Sequence, residues 1–166
     1  MTRAALEQLL YLVDMAFDAK GDEDSLLSNL RSVRDDDWLW TPPGGSRSIA
    51  SIIGHVGACK YVYDNHMFGD ATMTWSDPLV APQDRPTADA RATLEWLREG
   101  HQRFREHVAA LDDSELLKLR RRPEGGSRET RWLIAVMIQH DQFHAGEINH
   151  IRALRQGNDR WAWESS

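Results

Sequence analysis

Apolar residues along this chain recur at helical spacing, and no stretch sustains the strict alternation of a half-buried strand. Leu6, Leu9, Leu10, Val13 and Phe17 line one face of a predicted helix from about Thr2 to Lys20, with Gly21 as its stop. Asp24 or Ser25 can cap a shorter helix carrying Leu26, Leu27, Leu30 and Val33. The run Trp40-Thr41-Pro42-Pro43-Gly44-Gly45-Ser46 then breaks the pattern. Ser46 or Ser48 caps a helix from about Ile49 to Phe68, whose inner face reads Ile52, His55, Val56, Cys59, Val62 and Tyr63. Gly69 to Pro86 is polar and proline-bearing, a predicted loop. Thr87 is the expected cap of a third long helix reaching about Ala110, with Leu94, Leu97, Phe104 and Val108 inside. Asp112 to Ser127 reads as another loop, and the last helix runs from about Arg128 to Gln156 and stops at Gly157. Long amphipathic helices joined by long crossovers predict an all-α chain folded as a helix bundle.

With 166 residues the chain is expected to form one domain spanning 1–166. A chain this long buries roughly 70% of its unfolded surface, so it needs no disulfide or structural metal merely to fold. The single cysteine, Cys59, excludes an internal disulfide and suits a reducing compartment. Glu7, Gln8 and Asp14 interrupt the apolar Leu9–Val13 stretch, so no secretory leader is expected and the cytoplasm is the expected location. No apolar run approaches the roughly 18 residues of a membrane span. Twenty basic against 26 acidic residues give a net charge of -6, which argues against a general nucleic-acid binder.

The candidate chemistry sits on the last helix. His140 and His144 are four residues apart, so their side chains differ by about 40° around the axis and stand one turn apart. Leu133, Met137, Ile148 and Ile151 share their stripe, which turns both imidazoles inward. His55 lies in the apolar stripe of the second long helix. If these two helices touch, three imidazoles meet, a ligand set that leaves further positions on a divalent metal open. Glu147 lies close to the same face and can hold a ligand imidazole, act as a base or serve as a fourth ligand. Asp141 is about 100° off the face and is expected to make a helix–helix hydrogen bond. Cys59, one turn beyond His55, reads as a small buried hydrophobe. His66, His101, His107 and His150 are expected at the surface or an interface. Arg120, Arg121, Arg122, Arg128 and Arg131 make a basic loop, either solvated and balanced by Glu124 and Glu129 or placed to bind an anionic group. Asp35-Asp36-Asp37 lacks calcium-loop spacing, and neither Gly44-Gly45 nor Gly125-Gly126 sits in a phosphate-loop context.

Three segments together resemble the DinB-like superfamily, the damage-inducible and YfiT-like four-helix proteins. They are Gly44-Gly45-Ser46-Arg47-Ser48-Ile49, then Ile53-Gly54-His55-Val56, and His140-Asp141-Gln142-Phe143-His144-Ala145-Gly146-Glu147-Ile148. The resemblance implies a four-helix bundle of up-down-down-up topology, commonly a homodimer. It also implies a divalent metal, zinc or nickel, on His55, His140 and His144. The activities it implies are metal-dependent hydrolysis and S-transfer or isomerisation with a low-molecular-weight thiol as co-substrate. On that reading Glu147 orients a ligand or shuttles a proton, and Trp75 or Trp40 walls a pocket for a small-molecule substrate. The alternative is a non-catalytic metal-binding or dimeric stress-response bundle.

Overall fold

The computed structural model describes residues 3–19, 24–83 and 89–160. Four long helices dominate it. Helix α1 covers Ala4–Asp18 and buries Leu6, Val13, Ala16 and Phe17. Its expected stop, Lys20 and Gly21, lies outside the described residues. Ser25 and Ser28 then satisfy each other's backbone N–H groups around a short 3-10 turn, Ser28–Leu30, in place of the expected short helix. The one-turn α2, Asp35–Trp38, follows. Here Asp37 is fully buried and takes bonds from Arg34 and Gln156.

Helix α3, Ile49–Phe68, starts on Ser48, whose hydroxyl accepts from the Ser51 N–H while Ser51 reciprocates. It is buried on most of its circumference, from Ile49 to Met67. Helix α4 covers Ala90–Ala109, and Asp89 caps it by accepting from the Ala92 N–H. The expected cap, Thr87, lies outside the described residues. Helix α5, Thr130–Gln156, ends at Gly157, which adopts the left-handed conformation.

The stretch expected as a plain loop contains an antiparallel hairpin. Strand β1, Leu119–Arg121, pairs with β2, Ser127–Glu129, with Arg120 opposite Arg128. Strands of three residues are too short to show an alternating pattern. The signal is in the turn, where Gly125 and Gly126 take φ of 93° and 71°, values that side chains rarely adopt.

The helices meet through specific pairs. Asp14 and Asp18 of α1 hold Arg105 and Arg98 of α4. Between α3 and α4, a β-carbon on Gly57 would lie 2.1 Å from the Trp96 ring, and one on Gly100 would lie 2.7 Å from the Tyr61 ring. Leu6 of α1 packs in one cluster with Leu133 and Ile134 of α5, and Phe17 in another with Ala145 and Ile148. Between α3 and α5, Lys60 Nζ donates to Asp141 Oδ2 at 2.6 Å, with both side chains buried. Asp141 thus makes the expected helix–helix bond. Among the described residues no helix is long and apolar enough to cross a membrane.

Candidate metal centre

His55 comes from α3, and His140 and His144 from α5, at the level of the Lys60–Asp141 pair. The Nε2 atom of His140 stands 3.1 Å from Nε2 of His55 and 3.2 Å from Nε2 of His144. One nitrogen from each of the three rings lies within 4.8 Å of the others. The rings are tilted or edge-on to one another rather than stacked, so their edges converge on a common point.

Burial sets the protonation. It lowers all three pKa values, that of His140 to about 3, and at His55 and His140 the neighbouring imidazoles disfavour charge further. For His144, burial outweighs the Glu147 carboxylate, which favours the charged form. Near neutral pH the rings are therefore neutral, the form that ligates a metal. Glu147 also fixes a tautomer. His144 Nδ1–H donates to Glu147 Oε2 at 2.8 Å, which leaves the lone pair on Nε2 facing the other two rings. Glu147 stands behind the His144 ring, and its second oxygen faces Arg47 Nη1 at 3.5 Å.

This donor set fits a divalent metal. Three nitrogens bound tetrahedrally at zinc-like lengths stand about 3.3 Å apart, close to the 3.1 and 3.2 Å separations here. His140 Nδ1 is buried with no hydrogen-bond partner among the described residues, so the ring's polar interactions are all on the converging side.

A cavity of about 250 Å³ opens beside His55 and His140. Trp75 lines it, as the sequence suggested. Trp40 does not: it packs on the core and under Arg155. Cys59 lines it too, buried, with Sγ 3.8 Å from His55 Nε2. Burial pushes its thiol up to about 12, so it is a neutral wall.

A family profile described as the DinB superfamily matches residues 20–148. The chain belongs to the DinB superfamily. The matched span holds His55, His140, His144 and Glu147, and a three-histidine cluster in a DinB-superfamily chain is compatible with a metal site. No curated protein matches the chain.

For the other histidines and the basic loop of the DinB-superfamily chain, the structure corrects the expectation for His101 and sorts the rest. His101 is buried rather than superficial, stacked on Phe17 with ring centroids 3.6 Å apart. His107 is half-exposed and bonds Asp64 at 2.6 Å, His66 is half-buried with Nε2 2.9 Å from the Met73 carbonyl, and His150 is exposed. The basic loop is largely committed to partners. Arg120 bonds Thr130 and the Met67 carbonyl, Arg121 the Asp70 carbonyl, and Arg131 pairs with Glu129. The charged side chain this loop gives the cavity is Glu124, which the sequence had suggested only as a balance to the arginines. Tyr63, at i+8 from His55, donates to it at 2.7 Å. The stripe His55, Cys59, Tyr63 pointed to this wall, but nothing local announced Glu124.

Proposed function

We propose that His55, His140 and His144 bind zinc or nickel and that the chain is a metal-dependent enzyme of the thiol S-transferase or hydrolase type. The observation that carries this reading is the convergence of three neutral imidazole edges beside a cavity. A bound ion would supply the Lewis acidity that makes a thiol or water nucleophilic near neutral pH. The chain's own residues do the rest. Glu147 keeps the proton on His144 Nδ1 and so holds that ring in the ligating tautomer. Arg47 steadies Glu147 from the solvent side. Met137, Val136 and Trp75 exclude water from the space where a substrate would sit.

The same reading takes the long helices as up-down-down-up. In support, Asp14 and Asp18 of α1 meet Arg105 and Arg98 of α4 in reversed order, as His55 and Lys60 of α3 meet His144 and Asp141 of α5. Gly57 and Tyr61 of α3 meet Trp96 and Gly100 of α4 in the same order. It also takes the chain as a homodimer, as the family resemblance implies, acting on a small molecule in the cytoplasm, the compartment that a single cysteine suits.

The test is elemental analysis of untagged protein purified without chelator, beside a His140→Ala, His144→Ala variant. About one zinc or nickel per chain in the parent, lost in the variant, is expected. No stoichiometric metal, even after adding either ion back, overturns the metal reading. Metal without turnover in thiol-transfer and hydrolase assays leaves the non-catalytic bundle.

A further inference from the structure

The cavity beside the histidines has one chemical polarity along its length. Its α3 wall is His55, Cys59 and Tyr63, one turn apart each, so Tyr63 stands about 12 Å along the helix axis from His55. Between those ends the walls are Met137 and Val136 from α5, the buried Cys59 side chain and the Trp75 ring, without a charged side chain among them. At the Tyr63 end the charged side chain that lines the cavity is the Glu124 carboxylate. Its Oε1 accepts a hydrogen bond from the Tyr63 hydroxyl at 2.7 Å. Its Oε2 is 3.4 Å from Arg122 Nε, and that N–H is not aligned to form a hydrogen bond with any described residue. A carboxylate has about four acceptor positions, so Glu124 keeps capacity for a further donor.

We infer that this cavity selects a compact molecule with an apolar or aromatic body and a hydrogen-bond-donating, preferably cationic, head such as a protonated amine, and that Glu124 reads that head. The inference rests on the reading of this cavity as the substrate side of the metal centre. The volume, about 250 Å³, equals roughly eight water molecules at ~30 Å³ each, enough for a molecule on the order of ten non-hydrogen atoms. A carboxylate head at the same place would face Glu124, and the Arg122 Nε–H beside it is buried, ion-paired with Glu124 and outside the cavity's lining. The nearby arginines do not reverse this, because Arg120, Arg121 and Arg131 are engaged with other groups. The site thus disfavours the multiply anionic thiols that a basic pocket mouth would have welcomed. Glu124 is a specificity residue, remote from the reacting atoms.

Two probes of similar body test it: 2-phenylethylamine and 3-phenylpropanoate, titrated into the full chain and followed by tryptophan fluorescence, with calorimetry as a second readout. Titrations are run on protein as purified and again after chelation, so that binding to a metal is separated from binding to Glu124. The amine is expected to bind about tenfold more tightly than the carboxylate, the modest preference due to a half-exposed charge. Chelation leaves that ratio standing. Glu124→Gln, which keeps the size and sits on a hairpin turn, brings the two probes within about threefold while far-ultraviolet circular dichroism is unchanged. Equal or tighter carboxylate binding overturns the inference, as does a preference that survives Glu124→Gln. An amine preference that disappears on chelation also overturns it, since the metal and not Glu124 would then hold the amine. No stoichiometric metal in the protein as purified or after adding zinc or nickel back, with the ratio intact, counts against the metal reading and leaves this one standing.

Discussion

Removing either half of the Lys60–Asp141 pair is expected to destabilise the protein far more than removing both. The side chains are 1% and 2% exposed, and the nitrogen–oxygen distance is 2.6 Å. The Phe17 and Phe104 rings lie 5.6 and 5.9 Å from the ammonium, so water cannot easily replace a lost partner. Lys60→Met or Asp141→Leu leaves one buried charge uncompensated, at a cost of about 3–5 kcal/mol. Unfolding entropy of about 2.1 cal/mol/K per residue gives about 0.35 kcal/mol/K for a chain of this length. Each single variant should therefore melt about 9–14 °C below the parent. The double variant should behave differently. Asp141 Oδ1 is already buried without a hydrogen-bond partner among the described residues, so the native pair carries an unrecovered desolvation cost. Two apolar side chains remove that cost, and the double variant is expected within about 2 kcal/mol of the parent, on either side. Guanidinium denaturation followed at 222 nm on chelated protein measures all four corners of the cycle without a contribution from bound metal. Single variants that cost under about 1 kcal/mol, or a double variant whose loss equals the sum of the singles, would refute the reasoning.

His101 supplies a pH dependence. Burial drives its pKa down to about 2, whereas the unfolded chain titrates it near 6.5. Its contribution is therefore complete above about pH 6.5 and is lost as the pH falls toward the folded value, at about 1.4 kcal/mol per pH unit. His101→Phe, which keeps a ring against Phe17, should flatten the acid limb of a stability–pH curve by about 2 kcal/mol between pH 6.5 and 5; an unchanged slope would show that His101 is not held neutral. Gly57→Ala should cost about 1–3 kcal/mol in chemical denaturation despite its better helix propensity, because the Trp96 ring occupies the methyl's place. Glu147→Gln should weaken zinc binding about 10- to 100-fold in a competition titration with the fold intact, and unchanged affinity would remove Glu147 from the centre.

The part of the site legible in the sequence was the part encoded locally. His140 and His144 share a face because they are four residues apart, and the apolar stripe around them told which way that face points. His55 was legible for the same reason, one helix at a time, although its meeting with α5 is a tertiary fact. His101 was legible too and was misjudged. Its informative neighbours are Leu97 and Phe104, four before and three after, both fully buried. Lys60 and Glu124 had no such signal. Lys60 is buried because its partner, 81 residues away, compensates it. Glu124 reaches the cavity because a hairpin folds against α3, and the only sequence trace of that hairpin is a pair of glycines.

Gly57 and Gly100 have a mechanical consequence for the three-histidine cluster. Each accepts an aromatic ring from the opposite helix, Trp96 into one and Tyr61 into the other, one turn apart on both. Such a doubly keyed joint resists sliding. A shift of one residue carries a helix about 1.5 Å along its axis and turns it by about 100°, which would put each ring against a side chain instead of a bare backbone. Helices α3 and α4 are thereby locked as one stiff member, and His55 is fixed on it like a sight on a rail. Any widening of the cavity beside His55 is then left to α5, to the hairpin ahead of it and to the Trp75 segment, the parts that carry His140, His144, Glu124 and the Trp75 ring.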